Sequence, residues 1–402
     1  YALFLPLNVQ GFVVFYAPVL YNDTRKFRVE NGRYPLLDGE IMPHFKTLDV
    51  AVIAVHFTIV ILIGVLTARR AGSTERYFVG GRSYPGWLIG ISMFGAIISS
   101  ITFVAYPADA FRTGYLRYVI CITLPVAVLI ASRLFIPFFR RGRIISVFEY
   151  LEKRFGPRTR AYGACVFIIS QCFRISLIQF LVALLVNSIT GWDVTICILV
   201  GGVVTAFYTI AGGIEAVIWT DFIESMLLIC GGLLILGVIL WKLPGGFSQI
   251  IAIAQQDGKF MLSEVNADGA LEAVPWGFSL RRKTVVMLLV VGLFQWLGEY
   301  SYNQEIIQKY CAARSAADAR RAMWINCCMC VPAWGYFMFL GTALYAFYHV
   351  FPDTVASDIL AGTGKAEKIL PYFVTTQLPA GAAGLVVAGV LAAAMSSMGA
   401  AM

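Results

Sequence analysis

Two hydroxyl-bearing runs lie inside long apolar stretches, and their residue types suit a cation. The first is Ser-Met-Phe-Gly-Ala-Ile-Ile-Ser-Ser-Ile-Thr-Phe-Val, Ser92 to Val104. The second is Val-Leu-Ala-Ala-Ala-Met-Ser-Ser-Met-Gly-Ala, Val390 to Ala400. Unpaired hydroxyls are costly in hydrocarbon, so each cluster needs a partner. Glycine and alanine let two backbones approach closely, and hydroxyl and carbonyl oxygens are the ligands a dehydrated alkali cation takes. The two runs have the composition of two walls of an ion site. Bonding back to a preceding carbonyl explains either Ser396 or Ser397 singly. It gives no reason for the pair, whose side chains point about 100° apart on a helix of 3.6 residues per turn.

Charged side chains inside apolar stretches are the next candidates. Arg174 falls near the middle of one, where a guanidinium needs a partner or an aqueous cavity. Two assignments stand open: an ion pair with an acid such as Asp221 or Glu224, and contact with an anionic solute. Asp221 is either a structural carboxylate bonded to neighbouring hydroxyls or an outer ligand for a cation. Glu299, Asn303 and Gln304 read as polar groups at a helix end. Nothing resembles a nucleophile with its base. Gly362-Thr363-Gly364-Lys365 lacks phosphate-loop spacing, and Cys327-Cys328-Met329-Cys330 lacks metal-ligand spacing, so no enzyme is expected.

The elements that must hold these residues are membrane spans. Of 402 residues, 59% are apolar and only 13% charged, against about a quarter charged in soluble domains. Mean hydropathy is +0.76. Apolar runs near span length recur at roughly 49–68, 86–107, 115–139, 161–189, 192–210, 214–241, 284–304, 322–350 and 380–402. Tyr1 to Leu20 is apolar, and a polar stretch covers about 21–48. The net charge of +8 points to no nucleic acid, because the basic residues gather in short loops. These hold Arg69, Arg70, Arg76 and Arg82; Arg140, Arg141, Arg143, Lys153, Arg154, Arg158 and Arg160; and Lys309, Arg314, Arg320 and Arg321. All three loops fall on one side of the nine-span count, which makes that side cytoplasmic. The nine cysteines sit in or beside apolar segments and read as small lipophilic side chains.

Six motifs in order resemble the sodium/solute symporter family. They are Gly80-Gly81-Arg82-Ser83; Pro107 within Ala-Tyr-Pro-Ala-Asp-Ala-Phe; and Glu149-Tyr150-Leu151-Glu152-Lys153-Arg154-Phe155. Further on come Tyr208-Thr209-Ile210-Ala211-Gly212-Gly213-Ile214 with Trp219-Thr220-Asp221, then Asn303-Gln304-Glu305-Ile306-Ile307-Gln308-Lys309-Tyr310, then Ala393-Ala394-Met395-Ser396-Ser397. The resemblance runs from about residue 49 to the end and is nearest to the branch containing bacterial sialic acid symporters.

The resemblance implies an all-α polytopic protein of the LeuT-type inverted-repeat fold, with ion and solute beside a broken first core helix. The span at 86–107 would be core helix one and 380–402 core helix eight, so the resemblance implies a symporter domain (49–402) truncated after helix eight and incomplete at its C-terminus, preceded by residues 1–48 as an apolar segment and a polar external stretch. Sodium would be held by carbonyls of Gly95, Ile98 and Ala393 and hydroxyls of Ser396 and Ser397, with Asp221 as a possible ion-coupling residue. Ile97, Ser99, Thr102, Cys121 and Arg174 match solute-holding positions. Gly399 and Ala400 stand where sialic acid symporters carry serines that help hold a second sodium, so one sodium per solute is expected. Ile97 and Cys121 replace more polar residues, while Arg174 keeps a carboxylate in favour. The implied activity is sodium-coupled import of a small carboxylate such as a sialic acid, with the bilayer and the solute as partners, in the cell membrane. A sodium-coupled transporter of sugars or other neutral solutes, a symporter-like sensor domain and a passive channel are the alternatives.

Overall fold

The computed structural model describes residues 46–68, 73–141, 146–266, 271–279 and 281–402. The apolar segment and most of the polar stretch expected before residue 49 lie outside the described residues, as do Arg69, Arg70 and Arg143. Ten helices organise the fold: α1 Thr47–Ala68, α2 Gly86–Ile97, α3 Ser100–Arg112, α4 Leu124–Arg141, α5 Pro157–Thr190, α6 Val194–Lys242, α7 Val285–Ser301, α8 Gln304–Ala312, α9 Ala316–Val350 and α10 Ala382–Ala401. Shorter helices join them. Six described segments are long and apolar enough to cross a membrane as single helices, and α2–α3 and α7–α8 qualify as bent pairs.

Sequence-based spans and structure differ instructively at three places. At 86–107, Ile98 and Ser99 are extended, and the axes on either side differ by 59°. Pro107 does not end the span but sits inside α3, which runs on to Arg112. At 284–304, Tyr302 and Asn303 leave helical geometry, and α7 and α8 meet at 56°. The chain then folds α8 back into the protein, where a cytoplasmic loop was expected. Between 192–210 and 214–241, the backbone stays helical on either side of Gly213, whose φ of 59° and ψ of −152° divide α6. A residue with a side chain rarely adopts that geometry. The two parts of α6 correspond to the two expected spans.

The packing centre is α10. Alanine, glycine and serine supply so little bulk that the helix can be enclosed on all sides, and nearly everything from Ala383 to Gly399 is buried. It packs against α6, α1, α5 and α2. Asp49 anchors its start: Oδ1 accepts from the N–H groups of Gly381 and Gly384 at 2.7 Å each, and Oδ2 from that of Lys46 at 2.9 Å. One carboxylate thus satisfies orphan donors at two helix starts. The Arg140 guanidinium on α4 donates to the carbonyls of Tyr310, Cys311 and Ala313, fixing the end of α8.

The segment between α6 and α7 departs from the all-α expectation. Ser263–Val265 and Leu271–Ala273 pair as two short antiparallel strands. They flank a cavity of about 460 Å³ lined by Asp109, Arg112, Asn266, Lys365 and Glu367, among others. The described cysteines are all free thiols.

Candidate functional site

The break after α2 is created by sequence. The helical ladder closes with the Ile98 N–H donating to Phe94 O at 2.9 Å, and Ser99 turns extended, φ −98° and ψ 171°, to start α3. The last carbonyls of α2 therefore lie at a helix end, where the ladder no longer consumes them. Glycine at 95 lets α6 and α10 come close: a Cβ there would stand 2.7 Å from Ser225 Oγ, 3.0 Å from Asp221 O and 3.1 Å from Ser396 Oγ.

The two serines of α10 face different neighbours, as their angular separation requires. Ser397 Oγ donates to Ala393 O at 3.1 Å and lies 3.5 Å from Ala96 O across the helix interface. Ser396 Oγ donates to Asp221 Oδ1 at 2.5 Å. Both side chains are buried, as are Gly95, Ile98 and Ala393. The structure thus brings Gly95 and Ala96 of α2 against Ala393, Ser396 and Ser397 of α10. These carbonyl and hydroxyl oxygens suit a monovalent cation.

Asp221 is the centre of a second group. Its Oδ2 accepts from Ser92 Oγ at 2.6 Å and from Lys309 Nζ at 2.5 Å, and Lys309 Nζ also donates to Ser92 O at 3.0 Å. Ser225 Oγ donates to Asp221 O at 2.6 Å. Lys309 and Asp221 have side-chain exposures of 2% and 0%, so this ion pair is out of water. Removing one partner of such a pair costs about 3–5 kcal/mol, because the other charge is left buried. Lys309, counted by sequence among cytoplasmic loop charges, is therefore a core residue. Its signal is local: in Ile306-Ile307-Gln308-Lys309-Tyr310 the neighbours at 306, 307 and 310 are apolar and fully buried. Glu224, one turn beyond Asp221 on α6, is 1% exposed, with both carboxylate oxygens unpartnered in the structure.

Gly399 faces occupied space. A Cβ there would lie 2.9 Å from Tyr208 Oη and 3.2 Å from Thr209 Oγ1. Tyr208 is fully buried and donates to Met395 O at 3.1 Å.

On the solute side, Ile97 packs against the main hydrophobic cluster, Ser99 is half-buried at the break, and Thr102 is buried in the first turn of α3. Cys121 is sealed at 1% exposure with Sγ 3.3 Å from Tyr106 Oη. Arg174 Nη1 donates to Glu305 Oε1 at 2.8 Å, so the acid it meets is Glu305, where Asp221 and Glu224 were the candidates. Tertiary structure explains the change: Lys309 already holds Asp221, and Glu305 lies one turn before Lys309 on α8. That single short helix thus ties α5 and α6 through two ion pairs. Asn303 and Gln304 act at helix ends. Asn303 Oδ1 accepts from the Glu305 N–H at 3.0 Å, its Nδ2 donates to Glu299 at 2.6 Å, and Gln304 Oε1 accepts from the Val147 N–H at 2.8 Å.

Comparison with known proteins identifies the family. The sodium:solute symporter family model matches residues 77–402. The chain is 32% identical over 355 residues to the sodium/sialic acid symporter SiaT of Proteus mirabilis (strain HI4320), covering 88% of this chain and 68% of that one. It is 31% identical over 360 residues to the sodium/sialic acid symporter NanT of Aliivibrio fischeri (strain ATCC 700601 / ES114), covering 88% and 67%. The human sodium-coupled monocarboxylate transporter 1 is 28% identical over 341 residues, covering 82% and 52%. A substrate-bound, outward-open Na+-coupled sialic acid symporter superposes with a TM-score of 0.79 at 32% identity, covering 89% of this chain and 71% of that one. The LeuT-type architecture expected from the motifs is the observed one, in a multi-pass membrane protein. On the family match and the broken-helix core together, the chain belongs to the sodium:solute symporter family.

Proposed function

We propose that this protein imports a small carboxylate, a sialic acid or a related acid, driven by sodium and by alternating access. The observation that carries the proposal is the approach of Ser396 and Ser397 on α10 to the end of α2 at Gly95 and Ala96. In this proposal the carbonyls of Gly95, Ile98 and Ala393 and the two hydroxyls hold sodium. The ion would bridge α2 and α10 and favour the outward-open arrangement. Solute entering beside Ile97, Ser99, Thr102, Cys121 and Arg174 would close the outer side. Loss of sodium to the low-sodium interior would free α10 from α2 and open the inner side. Differential affinity of sodium for the two arrangements is the source of coupling. Support for an acid solute comes from the similarity to sialic acid and monocarboxylate transporters and from Arg174, whose planar fork suits a carboxylate. Asp221 acts as a charged neighbour that orients Ser396.

The test is uptake of labelled N-acetylneuraminate into proteoliposomes. Accumulation under an inward sodium gradient, abolished with potassium, is the expected result. Equal flux with and without the gradient would indicate a channel. A second reading, a neutral solute, is favoured by Arg174 being engaged by Glu305 and by Ile97 and Cys121 at solute positions. Sodium-driven uptake of a neutral sugar, with no response to any monocarboxylate, would establish it over the first.

A further inference from the structure

We propose that the cavity at the end of α3 is a second solute site, where Arg112 captures the carboxylate of an organic acid before it reaches the break at Ser99. The inference rests on the acid-solute reading above and adds a site to it. The cavity holds about 460 Å³, within the range of about 300–1,000 Å³ that takes a small organic molecule. Three segments wall it: the last turn of α3 with Asp109, Arg112 and Thr113, the end of the first strand with Val265 and Asn266, and the 364–367 loop with Glu367. None of these residues is among the solute positions Ile97, Ser99, Thr102, Cys121 and Arg174. The walls are held in place. Asp358 O accepts from the N–H groups of Thr363 and Gly364 at 3.0 and 2.9 Å and from Thr363 Oγ1 at 2.9 Å, so the loop is folded on its own backbone. The Tyr115 N–H donates to Met261 O at 2.9 Å and Lys259 Nζ to Phe111 O at 2.7 Å, which ties the approach to the strands to the end of α3.

Charge sets the ligand class. The Asp109 carboxylate is taken by Arg117 in an ion pair. Arg112 makes no ion pair among the described residues, and its guanidinium stands 3.4 Å from where a Cβ on Gly362 would lie. A half-buried guanidinium without a carboxylate partner suits an incoming carboxylate, which its planar fork can hold by two parallel hydrogen bonds. Glu367 supplies an acceptor for hydroxyl groups on the same solute. A route to the break is also present. Thr102, Tyr106, Asp109 and Thr113 recur at spacings of four, three and four, so they share one face of α3. Tyr106 Oη stands 3.3 Å from Cys121 Sγ, and the Arg117 guanidinium lies 5.4 Å from the centre of the Tyr106 ring while it pairs with Asp109. One polar face thus runs from the solute positions toward the cavity, over about 10 Å between residues 102 and 109. The other end of the α2–α3 pair lies beside the basic 305–321 segment, where the Gly86 N–H donates to Asp318 Oδ1 at 3.1 Å. By the positive-inside rule the cavity then faces outward, on the side from which solute arrives.

The experiment is saturation-transfer difference NMR of N-acetylneuraminate on the purified, detergent-solubilised full chain, first in potassium buffer and then in sodium buffer. In potassium the inner site lacks its coupling ion, so the signal that is left reports the cavity. Wild type is expected to give a signal in potassium and a stronger one in sodium. Arg112→Gln, and Val265→Trp, which fills the cavity without changing a charge, are each expected to lose the potassium signal. Arg174→Gln is expected to keep it. N-acetylmannosamine, which has no carboxylate, is expected to give no signal in potassium. Absence of the potassium signal in wild type, its persistence in Arg112→Gln or Val265→Trp, its loss in folded Arg174→Gln, or an equal signal from N-acetylmannosamine would each overturn the inference. If Arg112→Gln fails to fold, Val265→Trp still decides. A wild-type signal that does not grow in sodium would instead sink sodium-coupled acid transport, and with it the cavity's place on a transport route.

Discussion

Arg174 on α5 and Glu305 on α8 lie 131 residues apart in sequence, yet their charged atoms stand 2.8 Å apart. Four residues on, Lys309 makes a second ion pair with α6. The side-chain exposures are 25% for Arg174 and 3% for Glu305, so the guanidinium faces partly open space while its partner does not. That asymmetry suits a cation able to leave its carboxylate for a solute.

Arg174→Lys keeps the charge but loses the fork, and Arg174→Gln loses both. A charge-assisted hydrogen bond is worth about 1.5–3 kcal/mol, so half-saturating solute should rise roughly ten- to a hundredfold in Arg174→Gln. If the arginine only braces Glu305, both variants will express poorly. Arg174→Gln/Glu305→Gln would then restore expression with normal solute affinity. Binding of N-acetylneuraminate to purified Arg174→Gln separates the two outcomes, and wild-type affinity there rules the contact out.

Ser396 and Ser397 should fail differently. Ser397→Ala removes the hydroxyl beside Ala96 O and Ala393 O and should raise half-saturating sodium about tenfold, the equivalent of about 1.4 kcal/mol. Ser396→Ala should do the same and also leave Asp221 Oδ1 without its hydroxyl donor, lowering thermal stability as well. Sodium-titrated transport and unfolding temperatures read both effects. Unchanged half-saturation in the two variants would remove these serines from the sodium site.

Gly213→Ala should be damaging although no solute is near it. The φ of 59° and ψ of −152° belong to a region that costs a residue with a side chain about 1–3 kcal/mol. The new Cβ would also stand 2.7 Å from Tyr77 O, a backbone atom that cannot simply rotate away. A drop of several degrees in unfolding temperature is expected, where a free surface glycine would show almost none.

Lys259, in the segment between α6 and α7, gives a pH signature. It is 3% exposed, donates to Phe111 O at 2.7 Å and lies 3.9 Å from the centre of the Tyr345 ring. Burial lowers its ammonium to about 8, opposed by Asp257. Unfolded, the lysine titrates near 10.4. Between those values the unfolded chain keeps the proton and the folded one has lost it, so stability rises with pH across about 8 to 10. Below about 8 both forms are charged, and the burial cost is present in full. Lys259→Met should flatten this rise in unfolding temperature. An unchanged slope would show that the titration lies elsewhere.

What sequence alone determined is the part carried by local chemistry. Apolar runs of bilayer length fix the spans, because unsatisfied backbone cannot face hydrocarbon. The hydroxyl runs at 92–104 and 390–400, with the six motifs, were enough to name the family and to single out α2 and α10 as neighbours. Tertiary structure decided whatever depends on which charge meets which. Lys309 reads as a loop lysine in a hydropathy profile, since one polar turn after an apolar span looks the same whether it leaves the membrane or bends back into it. Only the 56° bend after α7 carries its ammonium to Asp221, and with Asp221 taken, Arg174 goes to Glu305. Periodicity reports which face of a helix is buried but not what lies opposite. Ion pairing in a low-dielectric core is set by contacts of a few ångströms between segments far apart in sequence.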